Sequence, residues 1–457
     1  MRTLIRLRAG VVVRTCPDGT TRLVSRTGAE SLGALTPAQA AVLAALESDR
    51  DERDLLAANE ASQVYALLMR LRRGNWLAAT LVCAGTVRLT VHPTGGRHAA
   101  NLTALLAIAE PQDSAVLSRF AVLRREDDHL VLESPRSGFT VHLDDPSLLD
   151  MDDPVVRHVL CACGLAVLAD ADEASAWSPH ELWFHARTRQ GRHEYPWGAT
   201  RRFSPPPGRW PTGPGLPLLK PDVVCDVPLT EAMETRRSIR VHDAIPLTAA
   251  QLGEFLFRTA RTRCTWSLDG VQLLDRPYPS AGALHELEIY PVVRDVTGVP
   301  QGLYHYDSHD HRLVPVEADE SLVARLAGNA AAAARMTGQP QVLFVITARF
   351  GRVMWKYESM GYALTLKNVG VLMSAMYLVA TAMRLAPCAV GGGDADLFAA
   401  AAGLDYETES SVGEFVLGSA PSPVRCPESS PVTFTPGRTP RGSLAAEWTR
   451  QGHWTPH

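Results

Sequence analysis

The amino-acid sequence predicts an α+β protein in which a mixed helix-and-strand domain follows a separate amino-terminal half. Three observations lead to this prediction. Residues 1–95 show strand-like and helical patterns in the order expected of a winged-helix-like module, residues 222–420 mix both patterns, and a proline-rich stretch divides the two regions. At 457 residues the chain is long enough for two or three domains and a sizeable core.

The first 95 residues predict a small antiparallel sheet, two helices and a closing hairpin. Apolar and polar residues alternate in LIRLRAGVVVRT and in TTRLVSRT, with CPDGT between them as a turn. TPAQAAVLAALES carries an apolar helical stripe behind a threonine cap, ASQVYALLMRLRR repeats the helical spacing, and LAATLVC and TVRLTVH resemble strands. We interpret residues 1–95 as a winged-helix-like module that recognises a peptide, or as a scaffold that only contacts partner enzymes.

Residues 96–203 are expected to form a second module of similar architecture. FAVLRRE, HLVLESP and FTVHLDD resemble three strands, and VVRHVLCACGLAVLA resembles an apolar helix. The segment shows no convincing sequence identity with residues 1–95. We therefore keep two interpretations, a second winged-helix-like module or a scaffold.

Proline-rich segments mark the limits of the carboxyl-terminal domain. Residues 204–221 contain seven prolines, which cannot lie inside helices or central strands, so this segment is expected to be a linker. Residues 421–457 contain seven more and little periodicity, which predicts an extended or partly disordered tail. The domain between them spans residues 222–420.

The 222–420 domain is expected to be built around one long helix. LTEAMETRRSIR and LTAAQLGEFLFRTA predict helices, whereas LEIYPVV, GLYHYD, RLVPVE and QVLFVITA predict strands. GYALTLKNVGVLMSAMYLVATAMRLA predicts a helix that is apolar on nearly every side. Such a helix normally lies in a core or in an interface. This favours a central position for the helix and a dimer.

Composition excludes several classes of function. The net charge is −4, and arginines are dispersed among nearly as many carboxylates, which argues against a nucleic-acid-binding protein. The longest apolar run, residues 369–383, is about 15 residues, shorter than the roughly 20 that cross a bilayer. Charged residues interrupt the amino-terminal apolar runs. We therefore expect a soluble cytoplasmic protein that does not bind a membrane.

The cysteines do not predict a metal site. Eight cysteines are widely spread, except for Cys161 and Cys163, which lie near His158. No second pair of ligands follows at the spacing of a zinc site. Buried free thiols are the expected arrangement, and no metal is expected.

Lysine is scarce, which draws attention to WKYESMGYALTLKN. The chain has three lysines, and two of them, Lys356 and Lys367, lie in this stretch. An arginine stays protonated at any working pH, whereas a poorly solvated lysine can lose its proton and act as a base. If one helix ran from 356 to 367, the two lysines would lie about 16 Å apart and could not serve the same atom. A salt bridge of Lys356 with Glu358 is the simpler alternative.

Three further stretches have the composition of a cofactor site. Arg236, Arg237, Ser238 and Arg240 in TRRSIR suit a phosphomonoester, because guanidinium groups bind phosphate in bidentate fashion. PSAG in RPYPSAGALHELEIY lets backbone approach a flat ring closely, and AVGGGDAD places three glycines after the long helix. Taken singly, each has an ordinary alternative: solvated arginines, a tight turn, and a helix stop.

Together and in this order, the stretches resemble the nitroreductase-like flavoproteins, and among them the SagB-type dehydrogenases that oxidise azoline rings in ribosomal peptides. The resemblance covers roughly residues 180–418. It lies in ELWFHARTRQGR, TRRSIR, RPYPSAGALHELEIY, GLYHYD, WKYESMGYALTLKNVG, CAVGGGD and GEFVLG. It implies an FMN enzyme with an α+β fold, a central mainly antiparallel sheet flanked by helices, and a homodimer with both flavins at the subunit interface.

The resemblance also assigns roles to residues of this chain. Lys356 and Tyr357 match the catalytic lysine and tyrosine of the peptide-azoline branch. The residues that match flavin-binding positions are Arg236, Arg237, Ser238 and Arg240 for the phosphate and ribityl chain, Pro279, Ser280, Ala281 and Gly282 for the ring, and Asn368, Gly391 and Gly392. Lys367 is placed near the cofactor or an interface carboxylate.

The implied reaction converts a thiazoline, or an oxazoline, to its aromatic azole. The amino-terminal half would capture the leader of the precursor peptide, and a cyclodehydratase complex is a further expected partner. Three alternatives remain open at this point. The first is a nitroreductase-like enzyme that uses NAD(P)H, and the second is a non-catalytic subunit that binds the leader peptide. The third is an enzyme that oxidises an azoline tethered to a carrier protein.

Overall fold

The computed structural model describes residues 2–421, except for 26–27, 58–59, 95–113, 127, 144, 146, 148, 150, 172, 194, 197, 209, 223–226 and 269. The predicted tail of residues 421–457 therefore lies almost wholly outside the described residues, as do residues 96–113 of the predicted second module.

The first 93 residues fold largely as their patterns predict. The strands and helices are β1 (Arg2–Leu7), β2 (Val12–Thr15), β3 (Thr21–Val24), β4 (Ala29–Gly33), α1 (Pro37–Ala45), β5 (Arg50–Asp51), α2 (Glu52–Ala57), α3 (Ala61–Arg73), β6 (Leu77–Cys83) and β7 (Thr86–Pro93). Thr36 caps α1, and its side chain accepts a hydrogen bond from the backbone amide of Gln39. Helices followed by the β6–β7 hairpin give this region its winged-helix-like order.

The chain after residue 113 adds strands to the sheet that contains β1, β6 and β7. Its elements are β8 (Ala115–Leu117), β9 (Val122–Glu126), β10 (His129–Glu133), β11 (Phe139–Leu143), α4 (Pro154–Ala162), β12 (Ala166–Leu168) and α5 (Pro179–Arg187). Strand β11 pairs with β7, so the order of one seven-stranded sheet is β5-β1-β6-β7-β11-β10-β9. Strands from both predicted modules thus share this sheet, whereas β2, β3 and β4 form a separate three-stranded sheet and β8 pairs with β12.

The predicted helix over residues 155–169 is shorter than expected. Helix α4 ends at Ala162, because Gly164 adopts a left-handed conformation with φ of 68° and turns the chain into β12. Cys163 is a buried free thiol, and Cys161 is free and half-buried. Among the described residues, no group of three or more His, Cys, Asp or Glu side chains could hold a metal ion.

The carboxyl-terminal domain is a second α+β unit. Its elements are β13 (Leu216–Pro217), α6 (Leu229–Thr235), β14 (Leu247–Thr248), α7 (Ala249–Ala260), β15 (Cys264–Leu268), β16 (Val271–Asp275), β17 (Leu287–Val293), β18 (Val296–Thr297), β19 (Gly302–Asp307), β20 (Arg312–Val316), α8 (Glu320–Ala333), β21 (Val342–Arg349), α9 (Gly351–Met354), α10 (Gly361–Ala382), β22 (Leu385–Val390), α11 (Ala395–Ala402) and β23 (Glu409–Ser419). Helix α6 ends at Thr235, so residues 236–240 of the TRRSIR segment lie outside any helix or strand.

A seven-stranded sheet forms the centre of this domain. Its order is β13-β20-β19-β17-β21-β23-β22, and every neighbouring pair is antiparallel. Strand β13 comes from the proline-rich linker and adds an edge strand, with Leu216 opposite Leu313. The predicted α+β class with a central mainly antiparallel sheet is confirmed.

Helices cover both faces of this sheet. On one face, Phe255 of α7 packs against Phe344 of β21 with ring centroids 5.3 Å apart, and Leu372 and Met376 of α10 join the same core. On the other face, side chains of α8 and α11, such as Phe398, pack against Leu343 and Val345 of β21. Because β21 is covered on both sides, nearly all of its side chains are buried.

Helix α10 is the long apolar helix that the sequence predicts. It is long and apolar enough to cross a membrane by length and composition alone, and it is the helix among the described residues that passes that test. In the fold, one side packs into the sheet core through Val369, Leu372 and Met376. The other side exposes Leu366 and Val371, which are 39% and 38% accessible. One protomer therefore leaves an apolar face of α10 uncovered.

Candidate active site

A strained turn at residues 280–285 connects β16 to β17. Gly282 has φ of 62°, and the following Ala283 and His285 also adopt positive φ values of 56° and 45°. A left-handed conformation costs a residue with a β-carbon roughly 1–2 kcal/mol, so surrounding contacts must hold the turn. The hydroxyl of Ser280 provides one such contact by accepting the backbone amide of His285 at 3.1 Å.

Ser280, Glu286 and Asn368 form a hydrogen-bonded triangle below this turn. The Asn368 amide Nδ2 donates to Glu286 Oε1 at 2.8 Å and to Ser280 Oγ at 3.2 Å, and the Ser280 hydroxyl donates to Glu286 Oε2 at 3.1 Å. Asn368 thereby joins the turn to α10. Ser280 and Asn368 belong to two separate motifs of the sequence, and in the structure their side chains are in direct contact.

Glu286 is a site residue that the sequence reasoning missed. Its side chain is fully buried, and burial raises the pKa of its carboxyl, although the hydrogen bonds from Asn368 and Ser280 act in the opposite direction. It lies within RPYPSAGALHELEIY, four residues after Gly282. A buried acid next to a glycine-containing turn was the available signal.

Lys356 and Tyr357 converge on the same turn. A β-carbon placed on Gly282 would lie 2.9 Å from Lys356 Nζ and 2.9 Å from the Tyr357 hydroxyl. The ammonium nitrogen lies 5.4 Å from the centroid of the tyrosine ring. The two polar groups therefore meet at one point above Gly282, where only a residue without a β-carbon leaves room for both.

Lys356 lies between two helices, not within one. Helix α9 ends at Met354 and α10 begins at Gly361, so the continuous helix from 356 to 367 considered from the sequence does not form. Lys356 is half-buried, whereas Lys367 is exposed on α10 beside Asn368. The buried side chains of Val353 and Trp355 anchor the segment in a small apolar cluster with Leu284.

Buried Arg352 fixes the distance between this segment and the turn. Its Nε and Nη2 donate to the carbonyl of Leu284 at 2.9 and 2.6 Å, and Nη2 also donates to the carbonyl of Gln272 at 3.0 Å. Burial and the nearby Arg349 lower its pKa to about 10. The sequence reasoning did not single out Arg352, since a lone arginine in a short helix has no distinguishing pattern.

The chain preceding the linker also holds the lysine segment. The Thr200 amide donates to the Lys356 carbonyl at 2.8 Å, and the Ser359 amide donates to the Pro196 carbonyl at 3.0 Å. Ala199 forms an isolated antiparallel bridge with Tyr357. The last residues of the amino-terminal half thus run alongside Lys356 and Tyr357.

The TRRSIR segment contacts α10 at Tyr377, away from the Ser280 turn. Ser238 Oγ and the Tyr377 hydroxyl are 2.7 Å apart, and the same hydroxyl accepts the amide of Ala389 at 2.8 Å. The Arg236 guanidinium lies 5.1 Å from the centroid of the Tyr377 ring. Arg236, Arg237 and Arg240 are exposed, which leaves a set of cationic side chains around a half-buried serine.

Within one protomer, the TRRSIR segment and the Ser280 turn contact opposite sides of α10. Asn368 holds the turn and Tyr377 holds Ser238. Nine residues of an α-helix correspond to about two and a half turns and a rise of roughly 13 Å, so the two side chains leave α10 in opposite directions. The structure therefore does not bring the two predicted groups together in one chain.

The glycine loop after β22 has open space above it. A β-carbon on Gly391 or Gly392 would meet no other atom within 4 Å, and both residues are exposed. Gly393 differs, because a β-carbon there would collide with the Glu414 carboxylate. The first two glycines are thus not required by packing inside the protomer.

Comparison with known proteins places these residues in a family. The model of the nitroreductase family matches residues 233–419, and that of the cyanobactin oxidase ThcOx matches residues 115–153. A nitroreductase-type protein of Methanocaldococcus jannaschii is 32% identical over 179 residues, which cover 39% of this chain and 85% of that protein.

Two further similarities are more limited. The trifolitoxin-processing protein TfxB of Rhizobium leguminosarum bv. trifolii is 34% identical over 87 residues, which span 19% of this chain and 23% of TfxB. A crystal structure of a nitroreductase-type protein from Ralstonia eutropha JMP134 has 23% identity and a TM-score of 0.36, and the alignment covers 50% of this chain and all of that one.

These matches confirm the resemblance that the motifs predict. The nitroreductase match contains TRRSIR, the Ser280 turn, the Lys356–Tyr357 segment and α10, and the cyanobactin oxidase and TfxB matches agree with the SagB-type branch. The chain belongs to the nitroreductase family of oxidoreductases.

Proposed function

We propose that this protein is an FMN-dependent dehydrogenase that oxidises thiazoline, or oxazoline, rings in a ribosomally synthesised peptide to aromatic azoles. The observation that carries the proposal is the convergence of Lys356 Nζ and the Tyr357 hydroxyl above Gly282. An amine and a phenol at one point offer two groups that can accept or relay a proton. Lys356 and Tyr357 are the proposed catalytic residues.

The described residues fit FMN. Three exposed guanidinium groups and the Ser238 hydroxyl suit a phosphomonoester and the ribityl chain. Gly391 and Gly392 leave open space for a ligand. Pro279, Ser280, Ala281 and Gly282 offer a turn with little side-chain bulk for the ring, and Asn368 of α10 contacts that turn. Lys367 precedes Asn368 on α10 and is exposed, so we propose that it reaches the cofactor or an interface carboxylate. Asn368 donates hydrogen bonds to Glu286 and Ser280, so its role is to orient the turn.

The opposite directions of Asn368 and Tyr377 support a site shared between two chains. If the turn of one protomer and TRRSIR of its partner met across the exposed face of α10, both sets of contacts could serve one cofactor. The exposed Leu366 and Val371 would then be covered. We therefore propose a homodimer with two composite sites.

The chemistry divides between the cofactor and the chain. Bound FMN supplies a two-electron acceptor for the hydride that leaves one ring carbon of the azoline. The Lys356 amine removes the proton from the adjacent ring carbon, and the Tyr357 hydroxyl lies within reach to relay it. Loss of one proton and one hydride removes two hydrogens and leaves an aromatic ring.

The amino-terminal half supports a peptide substrate. TfxB is named as a trifolitoxin-processing protein, and the match to the cyanobactin oxidase model falls on β8 to β11. We propose that this half recognises the leader of the precursor peptide and that the protein works beside a cyclodehydratase that forms the azolines.

The test is to purify the full-length protein, extract its chromophore and supply a peptide with preformed thiazolines. Mass spectrometry should show a loss of two hydrogens per ring. Lys356→Ala and Lys356→Arg should each lower turnover by about 10²- to 10⁴-fold while FMN content is unchanged, because arginine keeps the charge but cannot serve as the base. Wild-type turnover in Lys356→Arg would contradict the role assigned to the amine.

A reductive alternative is favoured by one observation, the 32% identity with a nitroreductase-type protein. Such an enzyme would take electrons from NAD(P)H and pass them to a nitroaromatic or a quinone. Rapid bleaching of the flavin by NADPH, with no turnover of the thiazoline peptide, would establish that alternative.

A further inference from the structure

The amino-terminal sheet has one apolar face and one polar face. Val91, Leu132 and Val141 lie in the apolar core under α4. The neighbouring residues point the other way: Thr140 pairs with His92 on one side and with Glu133 on the other. A sheet face lined with ionisable groups is normally exposed to water, but part of this face is covered.

A cavity of about 450 Å³ is lined by residues of this polar face and by Trp183, Ala186, Arg187, Arg192, His193 and Tyr195. Its floor includes His92, Glu133 and Thr140, and its walls include Trp183 of α5 and Tyr195. We call it the sheet-face cavity. Its volume is in the range of cavities that bind small ligands or a few side chains of a peptide.

Several buried polar atoms in this cavity lack hydrogen-bond partners among the described residues. They are Arg6 Nε, His92 Nε2 and Trp183 Nε1. His92 is 6% exposed, and the Arg6 Nε lies 4.0 Å from the nearest carboxylate, that of Asp49. A buried polar group without a partner typically costs 1–3 kcal/mol, so a ligand that supplies acceptors would be favoured.

Positive charge exceeds negative charge in the lining. Two carboxylates, Glu126 and Glu133, line the cavity, and Arg124 bonds to both, at 2.8 and 2.5 Å. Four further arginines contribute to the lining: Arg6, Arg8, Arg187 and Arg192. Since the whole chain has a net charge of −4, this concentration of arginine is a local feature. It favours an anionic ligand.

Three neighbouring histidines, His92, His129 and His142, also line the cavity. The rings of His92 and His142 lie 4.3 Å apart, and His129 lies 5.8 Å from His142. Burial, His142 and the nearby Arg6 and Arg8 lower the pKa of His92 to about 3, which keeps its ring neutral at pH 7. A bound anion would offset the mutual repulsion of Arg6 and Arg8, whose charges lie close enough to His92 to lower its pKa.

One wall of the cavity continues directly into the candidate active site. Arg192, His193 and Tyr195 line the cavity. The next residue, Pro196, accepts the amide of Ser359, and Thr200 donates to the carbonyl of Lys356. A ligand that contacts Tyr195 is therefore a few residues of chain away from the backbone that holds the catalytic pair.

We propose that the sheet-face cavity binds a carboxylate-bearing segment of a peptide. The arginines supply charge, and Trp183 Nε1 supplies a neutral donor. The identification of that peptide with the enzyme's substrate rests on the proposed function. This site differs from strand addition at a sheet edge, because the contacts come from side chains on the sheet face.

The test uses the purified full-length protein and fluorescein-labelled hexaglutamate, with labelled hexaglutamine as the neutral probe, measured by fluorescence anisotropy in about 0.15 M salt. Hexaglutamate should bind at least about tenfold more tightly. The Arg6→Gln/Arg192→Gln variant should lose about tenfold in affinity, and Trp183→Phe should lose several-fold. Arg14→Gln, at an exposed position on β2, is the matched control and should bind as the wild type does.

Equal binding of the two probes, or wild-type affinity in the double arginine variant, would overturn the proposal. Binding of citrate without binding of hexaglutamate would also overturn it, because the cavity would then serve a small carboxylate. Failure here is distinct from failure of the proposed function: thiazoline turnover without hexaglutamate binding would refute the cavity alone. Hexaglutamate binding by a protein without FMN would support the cavity and refute the dehydrogenase.

Discussion

The backbone amide of Thr200 donates a 2.8 Å hydrogen bond to the carbonyl of Lys356. Thr200 belongs to the end of the amino-terminal half, whereas Lys356 lies between two helices of the nitroreductase domain. The contact is between main-chain atoms, so its strength does not depend on either side chain. It makes the position of the proposed base sensitive to residues 196–200.

Thr200→Pro should therefore lower azoline turnover. Proline removes the Thr200 amide hydrogen and leaves the Lys356 carbonyl with the longer 3.5 Å bond from the Arg201 amide, whereas Thr200→Ala keeps the amide and serves as the control. We expect about a tenfold lower kcat for Thr200→Pro, unchanged FMN content in both variants, and wild-type kcat for Thr200→Ala. Equal rates in the two variants would show that this bond does not position Lys356.

Gly282→Ala should disable the site more strongly. The new β-carbon would lie 2.9 Å from both Lys356 Nζ and the Tyr357 hydroxyl, and φ of 62° is unfavourable for alanine. Gly270→Ala is the matched control, because φ is 76° there and a β-carbon would meet nothing within 4 Å. Both variants should lose roughly 1 kcal/mol of stability, measured by thermal unfolding.

The difference between those two glycine variants should appear in turnover. Gly282→Ala displaces both polar groups, so we expect about a hundredfold loss of kcat, whereas Gly270→Ala should keep wild-type kcat. If the two variants had the same kcat, the convergence above Gly282 would have no catalytic role.

A composite site predicts complementation between inactive chains. Lys356→Ala and the double variant Arg236→Ala/Arg237→Ala should each be inactive as homodimers. In a heterodimer, one of the two sites would combine an intact lysine with intact arginines, so the purified heterodimer should be active at about half of its sites, which is about a quarter of all sites in a random mixture. Coexpression with two affinity tags and assay of the doubly purified species would measure this. A heterodimer without activity would place both groups of one site on the same chain.

His92 should make the protein less stable as the pH falls. Its pKa is about 3 in the folded state and 6.5 in the unfolded chain, so the unfolded state binds more protons between those values. From pH 7 to pH 5, this difference costs about 2 kcal/mol of unfolding free energy. Denaturant titrations of His92→Gln should show a shallower loss over that range, with His180→Gln, at an exposed position, as the control. The wild-type slope in His92→Gln would exclude this explanation.

Local patterns predicted most of the individual elements. Helix α3 has the bounds of ASQVYALLMRLRR, and β6 has those of LAATLVC, because both segments bury apolar residues at the period of their own structure. The predicted helix through TRRSIR ends at Thr235, and beyond it Ser238 forms a hydrogen bond with Tyr377 of α10. That contact joins residues far apart in the chain, and no local pattern encodes it.

The same distinction applies to the sites. Lys356, Tyr357, Ser280 and Asn368 could be identified because each lies in a recognisable motif. Glu286 and Arg352 acquire their roles through burial, which depends on how β17, α9 and α10 pack. The residues of the sheet-face cavity are even farther apart in the sequence, because its lining extends from Arg6 to Tyr195. They come together when β7 pairs with β11, which no local pattern predicts.

Because the chain has three lysines, chemical labelling of amines can report on the proposed base Lys356 with little overlap from other side chains. Reductive methylation with isotopically enriched formaldehyde modifies primary amines and leaves guanidinium groups untouched, so three side chains and the amino terminus would carry the label. Lys220 and Lys367 are exposed and Lys356 is half-buried, which separates them by reaction rate. A nuclear magnetic resonance spectrum of the labelled protein would thus contain a handful of methyl signals, and one of them would report on the proposed catalytic centre.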